Sequence, residues 1–156
     1  MKINYPKLAL SILISLSAGA IGSVFTASSI PTWYSTLTKP FFNPPNWIFA
    51  PVWTTLYILI GISFYLILVS KSKINKNRAI QIFIIQLILN TLWSIIFFGL
   101  KSPEIALLEI FLLWVSILLT IKYFYRISKL SSYLLYPYLA WVSFATILTI
   151  AISILN

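Results

Sequence analysis

The stretch WIFAPVWTTLYILIGISFYLILVS, residues 47–70, decides the class of fold because it contains no charged side chain. As a helix rising about 1.5 Å per residue it would be about 36 Å long, and the hydrocarbon core of a bilayer is roughly 30 Å thick. The run is continuously apolar and lacks the alternation that is typical of a transmembrane β-strand. It therefore predicts a helix that crosses a membrane.

Four further runs of the same kind lie on either side of this one. Only 8% of the 156 residues are charged and 60% are hydrophobic, whereas a soluble domain carries roughly 25% charged residues. The spans are predicted at about 7–30, 47–70, 79–100, 104–125 and 132–155. Residues 1–156 are thus predicted to form a single domain: an all-α integral membrane protein, a bundle of five transmembrane helices with a Pro- and aromatic-rich loop between helices 1 and 2.

The distribution of Lys and Arg predicts the orientation of the bundle. Nine of the eleven basic residues fall on one side: two before the first span, four in residues 71–78 and three in residues 122–129. Lys39 and Lys101 fall on the other side. Because short cytoplasmic loops are rich in Lys and Arg, the N-terminus is predicted to be cytoplasmic and the C-terminus to lie outside.

The first span has an alternative interpretation. MKINYPKLALSILISLSAGA, residues 1–20, has the basic start, apolar run and small residues of a cleavable signal peptide. The apolar run continues to Phe25, which favours a retained helix.

Composition excludes several kinds of chemistry. The chain has no Cys and no His, so zinc sites and Cys- or His-activated nucleophiles are excluded, and we expect no metal site and no cofactor. A net charge of +9 would suggest nucleic acid in a soluble protein. Here the basic residues lie in short loops, so a lipid bilayer with anionic headgroups is the expected partner and nucleic acid is not.

The segment PTWYSTLTKPFFNPPNWIFAPVW, residues 31–53, is too unusual to be a passive connection. It holds five of the eight prolines of the chain and three of its six tryptophans. We expect Pro40, Pro44, Pro45 and Pro51 to prevent a regular helix. An interfacial belt of aromatic residues would explain Trp and Tyr here. Because a belt does not need a proline-stiffened backbone, we favour a lid over a ligand cavity.

Aromatic and polar side chains share helix faces that would point at such a cavity. They recur three or four residues apart, which places them on one side of each helix. These are Trp53, Tyr57, Ile60 and Phe64 in the second span, Gln86, Asn90, Trp93 and Phe97 in the third, and Tyr138, Trp141 and Ala145 in the fifth. Simple packing between helices is the alternative for each face.

Two polar residues within the spans need partners. Asn90 must bond to another helix, to water or to a ligand. Glu109 is ionisable, and such groups within a span are costly and usually functional. Pro137 lacks the N–H that would bond to Tyr133, so a kink is predicted in the fifth span.

The residues quoted above resemble the translocator-protein (TspO/MBR) family. WYSTLTKPFFNPPNWIFAPVWTTLY (33–57) is similar to the family pattern of Trp-Tyr, Lys-Pro, Pro-Pro-x-Trp and Pro-Val-Trp-x-x-Leu-Tyr. The third-span block Gln86 to Gly99 and LLYPYLAWVSFAT (134–146) are similar to the third and fifth helices of the family, which more often has Asp at the position of Glu109. The resemblance implies a five-helix bundle that binds porphyrins and related hydrophobic ligands, often as a homodimer.

The predicted ligand-binding residues combine the shared faces with the segment between the first two spans. They are Tyr34, Lys39, Pro44, Trp53, Tyr57, Asn90, Trp93, Phe97, Glu109, Tyr138, Trp141 and Ala145. For a possible homodimer, Ser15 with Gly19 and Ala18 with Gly22 have the spacing of close helix contacts. Packing within one chain explains that spacing equally well.

Three functions are open at this point. The leading hypothesis is a tetrapyrrole-binding protein of translocator type, in which aromatic rings hold the macrocycle, Trp53 and Asn90 offer donors and Lys39 meets a propionate. The alternative is an enzyme that catalyses light-dependent degradation of porphyrin, with Trp53 or Trp141 as a redox-active neighbour. The sequence offers no acid–base pair or metal for it, so the chemistry would belong to the ligand and oxygen. The third is a stress-linked regulatory membrane protein.

Overall fold

Five long helices form the molecule, as the sequence predicts. The computed structural model describes residues 3–156. Helix α1 covers Tyr5–Ser29 and continues as a π-helical segment, Ile30–Tyr34. Helix α2 covers Asn46–Val69, and α3 covers Asn77–Ser94 and continues as a second π-helical segment, Ile95–Gly99. Helix α4 covers Pro103–Ile127, the short α5 covers Lys129–Tyr133 and α6 covers Tyr136–Leu155.

Each of the five spans is long and apolar enough to cross a membrane, α5 and α6 together forming the fifth. The protein is an integral, multi-pass membrane protein with an all-α fold. The expected kink in the fifth span is a full interruption at Leu134 and Leu135. Pro137 therefore lies in the first turn of α6, where a missing N–H costs no intrahelical bond.

The connection between the first two spans is shorter than the sequence suggested. Trp33 and Tyr34 belong to the π-helical end of the first span, and Pro51 lies inside α2. Pro51 does not prevent the helix. It lacks the N–H that would bond to the carbonyl of Trp47, and helices within membranes tolerate such a proline because neighbouring groups can satisfy the freed carbonyl. The non-helical part is residues 37–45, hereafter the lid loop.

Neighbouring spans pack in the order α2, α1, α3, α4 and α6, and α5 closes the ring against α2. Two ends of the bundle are distinguished below. The basic end carries the 70–76 connection and α5. The loop end carries the lid loop and the 100–102 connection.

The basic half of the bundle is tightly packed. Phe83 stacks on Phe64 at 4.2 Å between ring centroids and on Phe124 at 5.8 Å, which joins α2, α3 and α4. Ser63 and Ser131 each donate a hydroxyl to the other's carbonyl at 2.7 Å. At Gly61 the helices are so close that an added Cβ would lie 2.6 Å from Cα of Ile12. Packed side chains therefore fill the centre of this half of the bundle.

Candidate functional site: an aromatic cavity at the loop end

A cavity of about 480 Å³ lies in the loop half of the bundle. Its walls come from α1, α2, α3 with its π-helical extension, and α6. The lid loop borders the cavity, because Phe42 packs edge-on against the wall residue Phe144 at 6.4 Å. A volume of this size is typical of sites for small organic ligands.

Seven of the residues predicted from the sequence line this cavity. They are Tyr34, Trp53, Tyr57, Trp93, Phe97, Trp141 and Ala145. They come from the first, second, third and fifth spans, so the structure brings the three predicted faces and Tyr34 together around one space.

The aromatic rings of the wall are held by one another. Trp53 stacks on Tyr57 at 5.5 Å and 26°, and Trp93 stacks on Phe97 at 5.1 Å and 18°. Trp141 contacts Phe49 at 6.1 Å. Stacked and edge-to-face pairs fix ring orientation, so the cavity presents broad, flat, ordered surfaces.

Asn90 and Tyr138 lie outside the lining residues, in a buried hydrogen-bond network. Tyr57 Oη donates to Asn90 Oδ1, and Asn90 Nδ2 donates to Tyr138 Oη at 3.1 Å. Tyr138 Oη donates in turn to Gln86 Oε1 at 3.0 Å. The side-chain amide of Asn90 therefore has its hydrogen-bond partners on two other helices, α2 and α6. Asn90 reaches the cavity only through Tyr57, whose ring orientation it fixes.

Lys39 and Pro44 lie in the lid loop and not in the cavity wall. The Lys39 ammonium lies 4.8 Å from the ring centroid of Tyr34, and it donates to the carbonyl of Leu37 at 3.3 Å. The carbonyl of Pro44 accepts from Asn43 Nδ2 at 3.1 Å, and Asn43 Oδ1 accepts from Tyr34 Oη at 2.7 Å. Lys39 therefore lies next to Tyr34, a residue of the cavity wall, without lining the cavity itself.

Glu109 is placed apart from the cavity. It is buried in α4, a helix that supplies none of the lining residues. Among the residues that the structure describes, neither carboxyl oxygen has a hydrogen-bond partner.

Sequence reasoning missed part of the wall. On the aromatic side it missed Phe49, Phe144, Leu148 and Ile152. On the α1 side the wall contains Leu16 and five small residues, namely Gly19, Ala20, Ser23, Thr26 and Ala27. Their recurrence three or four residues apart in the sequence was the available signal, and it also suits ordinary helix packing.

The small residues of α1 also pack within the chain. A Cβ at Gly19 would lie 2.2 Å from the ring of Tyr57, and one at Gly22 would lie 3.0 Å from Ser94 Oγ. Ser15 and Ala18 are buried. The spacing that suggested a dimer contact is therefore used between α1, α2 and α3.

The wall is chemically suited to binding. It is mainly aromatic and aliphatic, with hydroxyls and one amide, among them Ser23, Thr26, Asn46, Thr54 and Thr149. Among residues 3–156, no charged side chain lines it. Such a space can hold a large apolar molecule with a few polar groups.

Fold and cavity together define a class: a multi-pass helical membrane protein with an aromatic cavity at one end of its bundle. Within that class the chain belongs to the TspO/MBR family, whose model matches residues 11–155.

Individual relatives align over most of their length. The chain is 50% identical to the tryptophan-rich protein TspO of Archaeoglobus fulgidus, covering 98% of this chain and 99% of that protein. It is 47% identical to the tryptophan-rich protein TspO of Chlorobaculum tepidum, covering 96% and 95%. It is 36% identical to the human translocator protein, covering 82% and 77%.

Proposed function

We propose that the protein binds a flat, largely apolar tetrapyrrole, such as a porphyrin, in the aromatic cavity. The observation that carries the proposal is the convergence of Trp53, Trp93 and Trp141 on one space. Planar conjugated ligands gain most from stacking on ring faces. The family membership supports the same ligand class.

The polar groups of the site suggest how a porphyrin would be oriented. The apolar macrocycle would lie between the ring faces, away from the charged surface. Its propionates would point to the loop end, where Lys39 provides a cation above Tyr34. Asn90 is then a positioning residue, which acts through the hydroxyl of Tyr57.

The proposed role is transport of the ligand or signalling in response to it. The human relative is named a translocator protein, which supports movement of the bound molecule. Light-dependent degradation of porphyrin remains the alternative, because oxidisable Trp side chains surround the cavity.

One experiment distinguishes binding of intact porphyrin from its degradation. Purified protein is titrated with protoporphyrin in detergent, and quenching of Trp fluorescence is followed to saturation. The sample is then illuminated and the porphyrin is extracted for an absorption spectrum. We expect saturable quenching and recovery of intact porphyrin. Bleaching to a new absorbing product that requires the protein would establish the degradative alternative.

Tryptophan substitutions test the location. Trp53→Phe and Trp141→Phe should each weaken binding about fivefold, which corresponds to about 1 kcal/mol for a reduced stacking surface. Trp47→Phe is the matched control, because Trp47 is 73% exposed at the start of α2. Affinity is read from the shift of porphyrin absorbance, which does not depend on the number of fluorophores. Equal losses in all three variants would mean that porphyrin partitions on the outer surface.

A further inference from the structure

The lipid-facing side of α4 changes character towards the basic end. Exposed apolar side chains recur three or four residues apart over most of the helix: Leu108, Phe111, Leu112, Val115, Leu118 and Leu119. The same face continues with Lys122, Tyr125 and Arg126, all exposed. The apolar part is about 17 Å long at about 1.5 Å per residue. That length matches one acyl chain beneath a headgroup.

Aromatic residues enlarge the polar end of this face. Tyr133 lies between Tyr125 at 6.3 Å and Tyr136 at 6.1 Å, so the three rings form a row across α4, α5 and α6. Each of the three side chains is about half exposed. Rings that are apolar in body and polar at the hydroxyl are stable at the level of lipid headgroups.

Two cations lie over tyrosine rings at this end of the bundle, and one of the two rings, Tyr125, belongs to the row. The Lys129 ammonium lies 5.7 Å from the ring centroid of Tyr125, and the Arg126 guanidinium lies 5.8 Å from that of Tyr123. Contact with a ring face orients a cation without neutralising it. Lys122 is one helical turn from Arg126 on the same face.

No acidic side chain is available to neutralise these cations. The chain has two acids, Glu104 and Glu109, and both lie on α4 towards its loop end. Along the helix axis they are about 20 Å or more from Lys122. An anion that neutralises the positive charge at this position would therefore come from outside the chain.

We propose that Lys122, Arg126 and Lys129, with the tyrosine row, form a binding site for one anionic phospholipid. The phosphate accepts hydrogen bonds from the guanidinium and the two ammonium groups. The hydroxyls of Tyr133 and Tyr136 lie beside the headgroup, and an acyl chain follows the apolar face of α4. The site is separate from the porphyrin cavity, because α4 supplies none of the cavity lining.

The test uses the purified, detergent-solubilised full chain and phosphatidylglycerol as the probe. Native mass spectrometry counts bound lipid during a titration. We expect one tight phosphatidylglycerol and at least about tenfold weaker binding in the triple variant K122Q/R126Q/K129Q, because each cation near the lipid phosphate contributes to affinity. The matched control is K71Q/K73Q/R78Q, which removes the same charge from exposed positions at the same end. It should bind within about twofold of the parent protein.

Four outcomes would overturn the proposal. Equal loss in both triple variants would mean that a diffuse positive field attracts lipid. Unchanged binding in both would mean that these cations bind nothing. Equal binding of phosphatidylcholine would mean that the apolar face of α4 binds lipid without recognising the charge of the headgroup. Competition by glycerol phosphate at the same concentration would identify a soluble phosphate as the ligand.

Discussion

Glu109 is a residue whose position in the structure changes its expected role. An ionisable group within a span usually serves function, yet this one lies away from the cavity wall. Its carboxyl oxygens have no partner among the described residues. A buried polar group left without a hydrogen bond costs about 1–3 kcal/mol of stability.

Replacement of Glu109 by an apolar residue should therefore stabilise the protein. We expect Glu109→Leu to raise the thermal unfolding midpoint in detergent by several degrees and to leave porphyrin affinity within about twofold. Glu109→Gln is the control, because it keeps a polar group without a partner and should leave the midpoint near that of the parent. A lower midpoint in Glu109→Leu would show that the acid has a stabilising partner in the folded protein. Weaker porphyrin binding would show that the acid contributes to the ligand site.

For individual residues, the sequence predicts which face of a helix points into the bundle. It does not predict whether a residue on that face lines the cavity or packs in the core. On α2, Trp53 lines the cavity, whereas Ile60 and Phe64 on the same face belong to the packed core. On α6, Trp141 and Ala145 line the cavity, whereas Tyr138 is in the buried network. Periodicity describes one helix at a time. Where along their length the helices move apart to leave a cavity depends on the packing of all five spans.

At the scale of elements, the ends of the spans were the part that the sequence determined least. Apolar composition located all five spans because length and hydropathy suffice for that. The π-helical segments at the loop ends of α1 and α3 left no signal in the composition. They contain Tyr34 and Phe97 of the cavity wall. Regular periodicity placed Phe97 on the correct face, but it could not predict the change from α-helix to π-helix.

The lid loop is attached at its two flanks. On one side, Tyr34 Oη donates to Asn43 Oδ1 at 2.7 Å. On the other, the side-chain amide of Asn156 pairs with the backbone of Thr38: Thr38 N donates to Oδ1 at 2.9 Å, and Nδ2 donates to the Thr38 carbonyl at 3.0 Å. This pairing joins the loop to the end of α6, the helix that carries Trp141 and Phe144.

Loss of that pairing should loosen the lid without disturbing the bundle. We expect Asn156→Ala to increase the rate of porphyrin dissociation about fivefold, because two exposed hydrogen bonds together contribute about 1 kcal/mol. Stopped-flow displacement measures the rate. Ser153→Ala is the control, since Ser153 Oγ donates to the carbonyl of Thr149 in its own helix. The same acceleration in both variants would assign the effect to α6 and not to the loop.

At the scale of the whole molecule, the two ends of the bundle differ in packing and in charge. Gly61 lets α1 and α2 meet in the basic half, and aromatic stacking through Phe83 fills the space beside them. In the loop half the corresponding space is the cavity. The proposed lipid site and the proposed porphyrin site therefore lie at opposite ends of the bundle, so orientation in the membrane decides which compartment each one faces.

Orientation follows from the charge distribution, which predicts that the basic end faces the cytoplasm. The chain contains no Cys, so single cysteines can report the side directly. Phe41 in the lid loop is fully exposed, and Asn75 in the 70–76 connection is exposed and uncharged. Neither substitution, Phe41→Cys or Asn75→Cys, alters the number of basic residues on either side, so the topology signal itself stays intact.

In intact cells, an impermeant thiol reagent should label Phe41→Cys and leave Asn75→Cys unlabelled until the membrane is opened. The Cys-free parent protein controls for labelling of other groups. If only Asn75→Cys reacts in intact cells, the bundle is inserted the other way round, and the lid loop and cavity mouth face the cytoplasm. If both react, the positive charges at the basic end do not fix a single orientation. The proposed phospholipid site would then lie in the cytoplasmic leaflet in some molecules and in the opposite leaflet in others. Binding of anionic lipid would not be confined to the cytoplasmic leaflet.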